Sequence, residues 1–224
     1  MKQLVLDLRL ATPSGFDDFV PGDNAELLFM LGEWASLSDN TRFVYLWGEA
    51  GAGKSHLLRA TAQRVAGAIY IDAATDTLPF PLAPDAALIV DNVTALDGEQ
   101  QIRLFDHYNT LKEGQGRLLA AGSLPAMLLP LRDDLTTRLG WGLVYQLKSL
   151  SEPDRIAALK RHAYQLGFEL NDDVADYLLR YTKRDLGSLT RLLEQANQHA
   201  LSLKRQVTIA LVREVLQASD AATC

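Results

Sequence analysis

The stretch Phe43-Val44-Tyr45-Leu46-Trp47-Gly48-Glu49-Ala50-Gly51-Ala52-Gly53-Lys54-Ser55 decides the fold of this 224-residue chain. Five apolar residues ending at a glycine read as a buried strand. Lys54 to Val65 then carries Leu57, Leu58, Thr61, Ala62 and Val65 at helical spacing. Between them, Gly48, Glu49, Ala50, Gly51, Ala52, Gly53, Lys54 and Ser55 fit G-x-x-x-x-G-K-[ST], in the strand–loop–helix context that gives the pattern its meaning. Glycines let backbone N–H groups wrap a phosphate, a lysine neutralises the β/γ oxygens, and the Ser55 hydroxyl suits Mg²⁺. His56 comes next and is grouped with the loop, although a residue there more often packs or covers a helix.

Outward from the loop, strands alternate with helices. Strands are expected at Ala68–Ile71, Ala87–Val90, Leu118–Ala121 and Leu143–Leu147, and a helix at Gln101–Leu111 with Ile102, Phe105, Tyr108 and Leu111 as its core stripe. The alternation predicts an α/β fold with a parallel sheet. At Ser151-Glu152-Pro153-Asp154 the pattern changes, with a helix N-cap, an early proline and acids in the first turn. Helices are expected at Pro153–Leu166, Asp172–Tyr181, Asp185–Ser202 and Ile209–Gln217. The chain is thus divided into a 1–12 N-terminal peptide, a 13–150 nucleotide-binding α/β domain and a 151–224 helical domain.

Hydrophobic residues make up 48% and charged residues 22%, which excludes disordered and fibrous classes. No apolar run approaches the roughly 20 residues that span a bilayer, and charges interrupt the N-terminus, so a cytoplasmic protein is expected. One cysteine and four histidines without ligand spacing argue against a disulfide scaffold or a metal cluster. Net charge is −6: residues 1–150 hold 12 basic and 18 acidic residues, and the remaining 74 hold 10 of each. With no basic face, strong direct binding to duplex DNA is not expected.

Leu88-Ile89-Val90-Asp91-Asn92 is a buried strand ending in the acid that would hold Mg²⁺ opposite Ser55. Asn92 can orient a water but cannot take its proton, so intrinsic hydrolysis is expected to be slow. Arg138, in Thr137-Arg138-Leu139-Gly140-Trp141-Gly142, is either a helix C-cap contact or an arginine finger aimed at a neighbour's nucleotide.

Together these residues resemble the AAA+ class and, within it, the DnaA-related family, which includes the initiator DnaA and its shorter regulatory relative Hda. Phe16-Asp17-Asp18-Phe19-Val20-Pro21-Gly22-Asp23-Asn24 is similar to the family's adenine-side segment F-x-x-F-x-x-G-x-N. Gly53-Lys54-Ser55-His56-Leu57-Leu58 matches its G-K-S/T-H-L-L, and Arg138 to Gly142 its arginine-finger segment with W-G. The resemblance implies nucleotide contacts from Phe19, Val20 and the 48–56 loop, Mg²⁺ at Ser55 and Asp91, and ADP rather than ATP as the resident nucleotide. Three departures favour the shorter relative: only a proline-rich 73–86 segment where DnaA inserts helices that bind single-stranded DNA, no helix-turn-helix before Cys224, and Asn92 in place of a second acid. In the lid, Gly187 takes the expected arginine position, so either Arg184 or Arg191 substitutes as sensor or lid closure is less tightly coupled to the γ-phosphate. Ser123 stands in the first sensor region, without the expected acid.

Gln3-Leu4-Val5-Leu6-Asp7-Leu8 resembles the family's Q-L-x-L-x-L clamp-binding peptide, with Gln3, Leu4, Leu6 and Leu8 as contacts; an edge strand is the bland alternative. The implied activity is activation in trans. The protein would tether to the sliding clamp, present Arg138 to DnaA-bound ATP and so inactivate the initiator. An autonomous ATPase such as a helicase loader, a nucleotide-stabilised clamp adaptor, and a homodimeric state all stay open.

Overall fold

The computed structural model describes residues 16, 19–36, 41–181 and 186–221. The N-terminal peptide, Arg184 and Cys224 lie outside them. Strand β1 (Phe43–Trp47) pairs on one side with β5 (Leu143–Gln146) and on the other with β4 (Arg117–Gly122). Beyond β4 lie β3 (Ala87–Asp91) and β2 (Ile69–Asp72), giving a fully parallel sheet of order β2-β3-β4-β1-β5. Every residue of β3 and β4 is buried, as expected where helices cover both faces of a parallel sheet. The fifth strand is an edge, and Leu143 and Val144 stand exposed on it.

Alternation along β1 divides the core. Val44 and Leu46 face α1 (Ala25–Ala35) and α2 (Lys54–Arg64), packing with Leu31, Trp34, Leu57 and Leu58. Tyr45 faces the other way, with Leu104, Tyr108 and Leu111 of α3 (Gly98–Glu113) and Leu135 and Leu139 of α4 (Asp133–Trp141). Helix α1 was not anticipated, although Leu27, Met30, Leu31 and Trp34 carry the spacing of one apolar face. The α3 stripe is also corrected. Leu104, His107, Tyr108 and Leu111 are its buried residues, whereas Ile102 is 46% exposed. Tyr108 and Leu111 lie on the buried face and Phe105 packs at its margin, but a strict three-residue spacing drifts round the helix and carries Ile102 out to solvent.

The helical part comprises α5 (Glu152–Gln165), α6 (Asp172–Tyr181), α7 (Leu186–Leu203) and α8 (Ile209–Ala221), around Leu159, Ala163, Leu178, Leu189, Leu193 and Val212. Ser151 caps α5 by accepting from the Asp154 N–H. Residues 73–86 contain no helix. They lie along α3, where Gln100 Oε1 accepts from Leu78 N, Arg103 donates to Leu78 O, and the His107 ring meets Pro79 O at 2.8 Å.

Arg42 ties the start of β1 to the α3–β4 connection. Its guanidinium donates to the carbonyls of Leu111, Gly114 and Gly116 at 2.5, 2.8 and 2.9 Å, satisfying acceptors that a helix end leaves open. Arg42→Ala is expected to cost about 3 kcal/mol, the scale of losing several charge-assisted bonds to half-buried carbonyls. Urea unfolding checks it; a midpoint unchanged from wild type would refute it.

Candidate nucleotide site

The 48–53 loop leaves β1 at the carboxyl edge of the sheet, where ligands bind in open α/β folds, and enters α2. Gly53 has φ 104°, a left-handed conformation natural to glycine, and a Cβ there would press on Phe19 Cε2 at 3.0 Å. Lys54 Nζ curls over the loop and donates to Gly48 O (2.7 Å) and Glu49 O (2.8 Å). Burial holds its pKa below the ordinary lysine value, against the opposing attraction of Asp91. Glu49 Oε2 accepts from Ser149 Oγ at 3.1 Å. Ala50 and Gly51 are exposed, and Ala52 and Ser55 half-buried.

Asp91 ends β3 and is fully buried. Its Oδ2 accepts from Tyr70 Oη (3.0 Å) and its Oδ1 from the Asn92 backbone N–H (2.8 Å). Burial, then the Asp91 charge, push the Tyr70 phenol well above its usual range, so Tyr70 is a fixed donor. Asn92 lies in the left-handed region (φ 53°) and its Nδ2 donates to Asp72 Oδ1 at 2.8 Å. Asp72 ends β2 in register with Asp91. Tyr70 and Asp72 were missed by sequence reasoning; an acid at a strand end was visible, but only the pairing of β2 with β3 brings it to Asn92.

The N-terminal wall comes from 19–24. The Phe19 ring lies 5.8 Å from that of His56, tilted by 37°. Both Phe19 and Val20 are half-buried. His56 Nε2 is buried with no hydrogen-bond partner among the described residues. Asn24, 4% exposed, clips this wall to the end of the sheet: Nδ2 donates to Pro21 O and Lys148 O, and Oδ1 accepts from Lys148 N. The F-x-x-F-x-x-G-x-N pattern contains Asn24 but does not disclose this role, which needs Lys148 beside it.

These donors fit a nucleoside polyphosphate with a divalent cation. Lys54 and the α2 N-terminus suit phosphate, Ser55 and Asp91 suit Mg²⁺, and the Phe19 wall with the unpartnered His56 nitrogen suits a base. No group of three or more metal-binding His, Cys, Asp or Glu side chains occurs among the described residues.

The remaining candidates are dispersed. Ser123 is exposed in the turn after β4, which Tyr45 Oη holds by donating to Leu124 O at 2.7 Å. Arg191 and Gly187 are exposed on α7. Arg138 is half-buried on α4, its guanidinium 4.2 Å from the Trp141 ring centroid and 5.5 and 5.8 Å from those of Phe105 and Tyr108. None of these rings belongs to the loop. Gly142 ends α4 where a Cβ would collide with the Phe43 carbonyl, which accounts for the glycine after Trp141.

Against known proteins, residues 152–216 match the family model described as Hda, lid domain. The fold superposes on domain III of the Thermotoga maritima replication initiation protein DnaA with TM-score 0.78 and 20% identity, covering 92% of this chain and 97% of that one. Residues 152–216 thus match an Hda-type lid, and the chain as a whole has the fold of DnaA domain III. It is also similar to AMPPCP-bound DnaA from Aquifex aeolicus (TM-score 0.69, 22% identity, 87% of this chain and 68% of that one). The Thermotoga maritima RuvB Holliday junction branch migration motor shares the fold as well (TM-score 0.68, 16% identity, 92% and 72%). No described helix is long and apolar enough to cross a membrane.

Lys54→Ala is expected to lower adenine-nucleotide affinity at least about 100-fold, or roughly 2.7 kcal/mol, with little change in melting temperature. Titration with a fluorescent ATP analogue measures it, and affinity within a few-fold of wild type would contradict the site.

Proposed function

We propose that the protein is a regulator of replication initiation that docks on the sliding clamp and supplies Arg138 to ATP held by DnaA, converting the initiator to its ADP form. The observation that carries this is a cation kept without a carboxylate. Arg138 sits at the C-terminal end of α4 with no ion-pair partner among the described residues, held by rings instead. A guanidinium with unspent N–H donors suits the charge that develops on the equatorial oxygens of a transferring phosphoryl group. In that role water attacks the partner's terminal phosphorus, the bond to the bridging oxygen breaks, and inorganic phosphate leaves. Arg138 donates hydrogen bonds throughout and transfers no proton.

The protein's own site suits retention better than turnover. Asn92 offers no base, and its amide is committed to Asp72. Lys54, Ser55, Asp91, Phe19, Val20 and His56 would hold an adenine nucleotide, ADP by resemblance. Mg²⁺, when bound, neutralises phosphate charge. Such a protein would work in the cytoplasm as monomer or homodimer, and a motor reading has only the shared fold of RuvB behind it.

Arg138→Ala is expected to leave the protein's own nucleotide binding intact and remove stimulation of DnaA-bound ATP hydrolysis, a loss of about 10³-fold if the arginine acts as fingers do elsewhere. Single-turnover hydrolysis with clamp loaded on DNA measures it; undiminished stimulation would end the proposal.

Clamp docking is tested separately through the 1–12 peptide. Gln3→Ala with Leu6→Ala is expected to abolish clamp retention while melting temperature and nucleotide affinity stay unchanged, since an extended peptide binds by backbone bonds and a few anchors. A pull-down retaining full clamp binding would rule it out.

A further inference from the structure

Arg138 poses a physical question: what fixes a half-buried guanidinium that has no acid beside it? The carboxylate best placed by spacing is Asp134, one helical turn earlier on the same face. Both its oxygens are engaged elsewhere, by Arg132 Nε at 3.1 Å and Nη2 at 2.7 Å. Three aromatic rings replace it. Phe105 and Tyr108 stand three residues apart on α3, and Trp141 stands three residues after Arg138 on α4. The guanidinium carbon lies nearest Trp141, 4.2 Å from its centroid.

A ring face attracts a cation through its quadrupole, and indole does so best. Such a contact uses the flat face of the guanidinium and leaves its in-plane N–H donors free, whereas a carboxylate would consume two and cancel the charge. Trp141 itself is 58% exposed, so the guanidinium it carries lies near solvent rather than deep in the core. Lys112 Nζ also approaches this ring, 4.9 Å from its centroid, so two cations share the indole.

We propose that Trp141 is the positioning residue for Arg138, a stacking platform that orients the guanidinium while leaving its donors for a phosphate on another molecule. This rests on the assignment of Arg138 as the donor in trans. Trp141 does not itself touch the reacting atoms, so its loss lowers the maximal rate and leaves partner affinity largely in place.

The test compares wild type, Arg138→Ala, Trp141→Leu and Trp141→Phe in single-turnover hydrolysis of DnaA-bound ATP, with the regulator titrated to saturation. Trp141→Leu keeps an apolar side chain but removes the ring face. It is expected to lower the saturating rate about 10-fold or more with the half-saturating concentration changed less than about threefold. Trp141→Phe is expected to recover most of the rate. A second readout needs no partner: the indole N–H resonance of Trp141, assigned by its disappearance in Trp141→Phe, should shift in Arg138→Ala. If Arg138→Ala abolishes stimulation while Trp141→Leu matches wild type, the positioning role is overturned. If the indole resonance does not move in Arg138→Ala, the contact itself is overturned. If wild type fails to stimulate at all, the finger assignment falls, and the resonance alone then decides whether Trp141 holds Arg138.

Discussion

The backbone of Lys148 gives both its polar groups to one side chain, the amide of Asn24, and the site depends on that exchange. Leu147, just before it, donates to Trp47 O and so continues the β1–β5 ladder beyond the last paired strand residue. The clip therefore anchors the 19–24 wall to the same sheet edge from which the phosphate loop departs. Phe19 can then lie against Gly53 and His56 rather than stray over the surface. Three residues past Lys148, Ser151 caps α5, so one short stretch carries the wall, the sheet edge and the start of the helical part. An amide at 4% exposure with both ends paired is costly to disturb, because each partner would be left unsatisfied.

The carboxyl edge of the sheet divides the chemistry in two. On one side lie Lys54, Ser55 and Asp91, a set able to hold a nucleotide and a cation. On the same edge Asn92, the residue after Asp91, is turned toward Asp72 and locked there in a left-handed conformation, and an amide takes no proton from water. Arg138 belongs to α4 and to a cluster of rings, none of them part of the loop. Among the described residues Arg138 has no ion-pair partner, and the rings that hold it are separate from the residues able to hold a nucleotide; on that separation rests the proposal that it acts on a nucleotide held by another protein.

Much of this was legible in the sequence, because the signals were local. The β1–loop–α2 unit, Asp91 at a strand end, the Ser151 cap and the four C-terminal helices each depend on spacing within a dozen residues. What escaped notice depends on pairing across the sheet or on helix phase. Asp72 meets Asn92 only because β2 lies beside β3 in register. Asn24 and Lys148 are 124 positions apart, and no local pattern announces their bond. Helix α1 carried a readable apolar face, but its N-cap side chain serves Lys148 and makes no cap bond, so the usual start signal has another use. Ile102 is read as core because it continues the three-residue spacing of Phe105, Tyr108 and Leu111, which drifts off the buried face toward the start of α3.

One measurement bears most directly on where the chemistry occurs. DnaA is loaded with ATP labelled in its terminal phosphate, the regulator is loaded with unlabelled ADP, and the two are mixed with clamp on primed DNA. Label release and the nucleotide on each protein are then followed together. The account predicts that labelled phosphate is released while DnaA keeps the resulting ADP and the regulator keeps its own. Hydrolysis that begins only after ATP has moved onto this chain, or that this chain performs alone at about one turnover per second or faster, would contradict it.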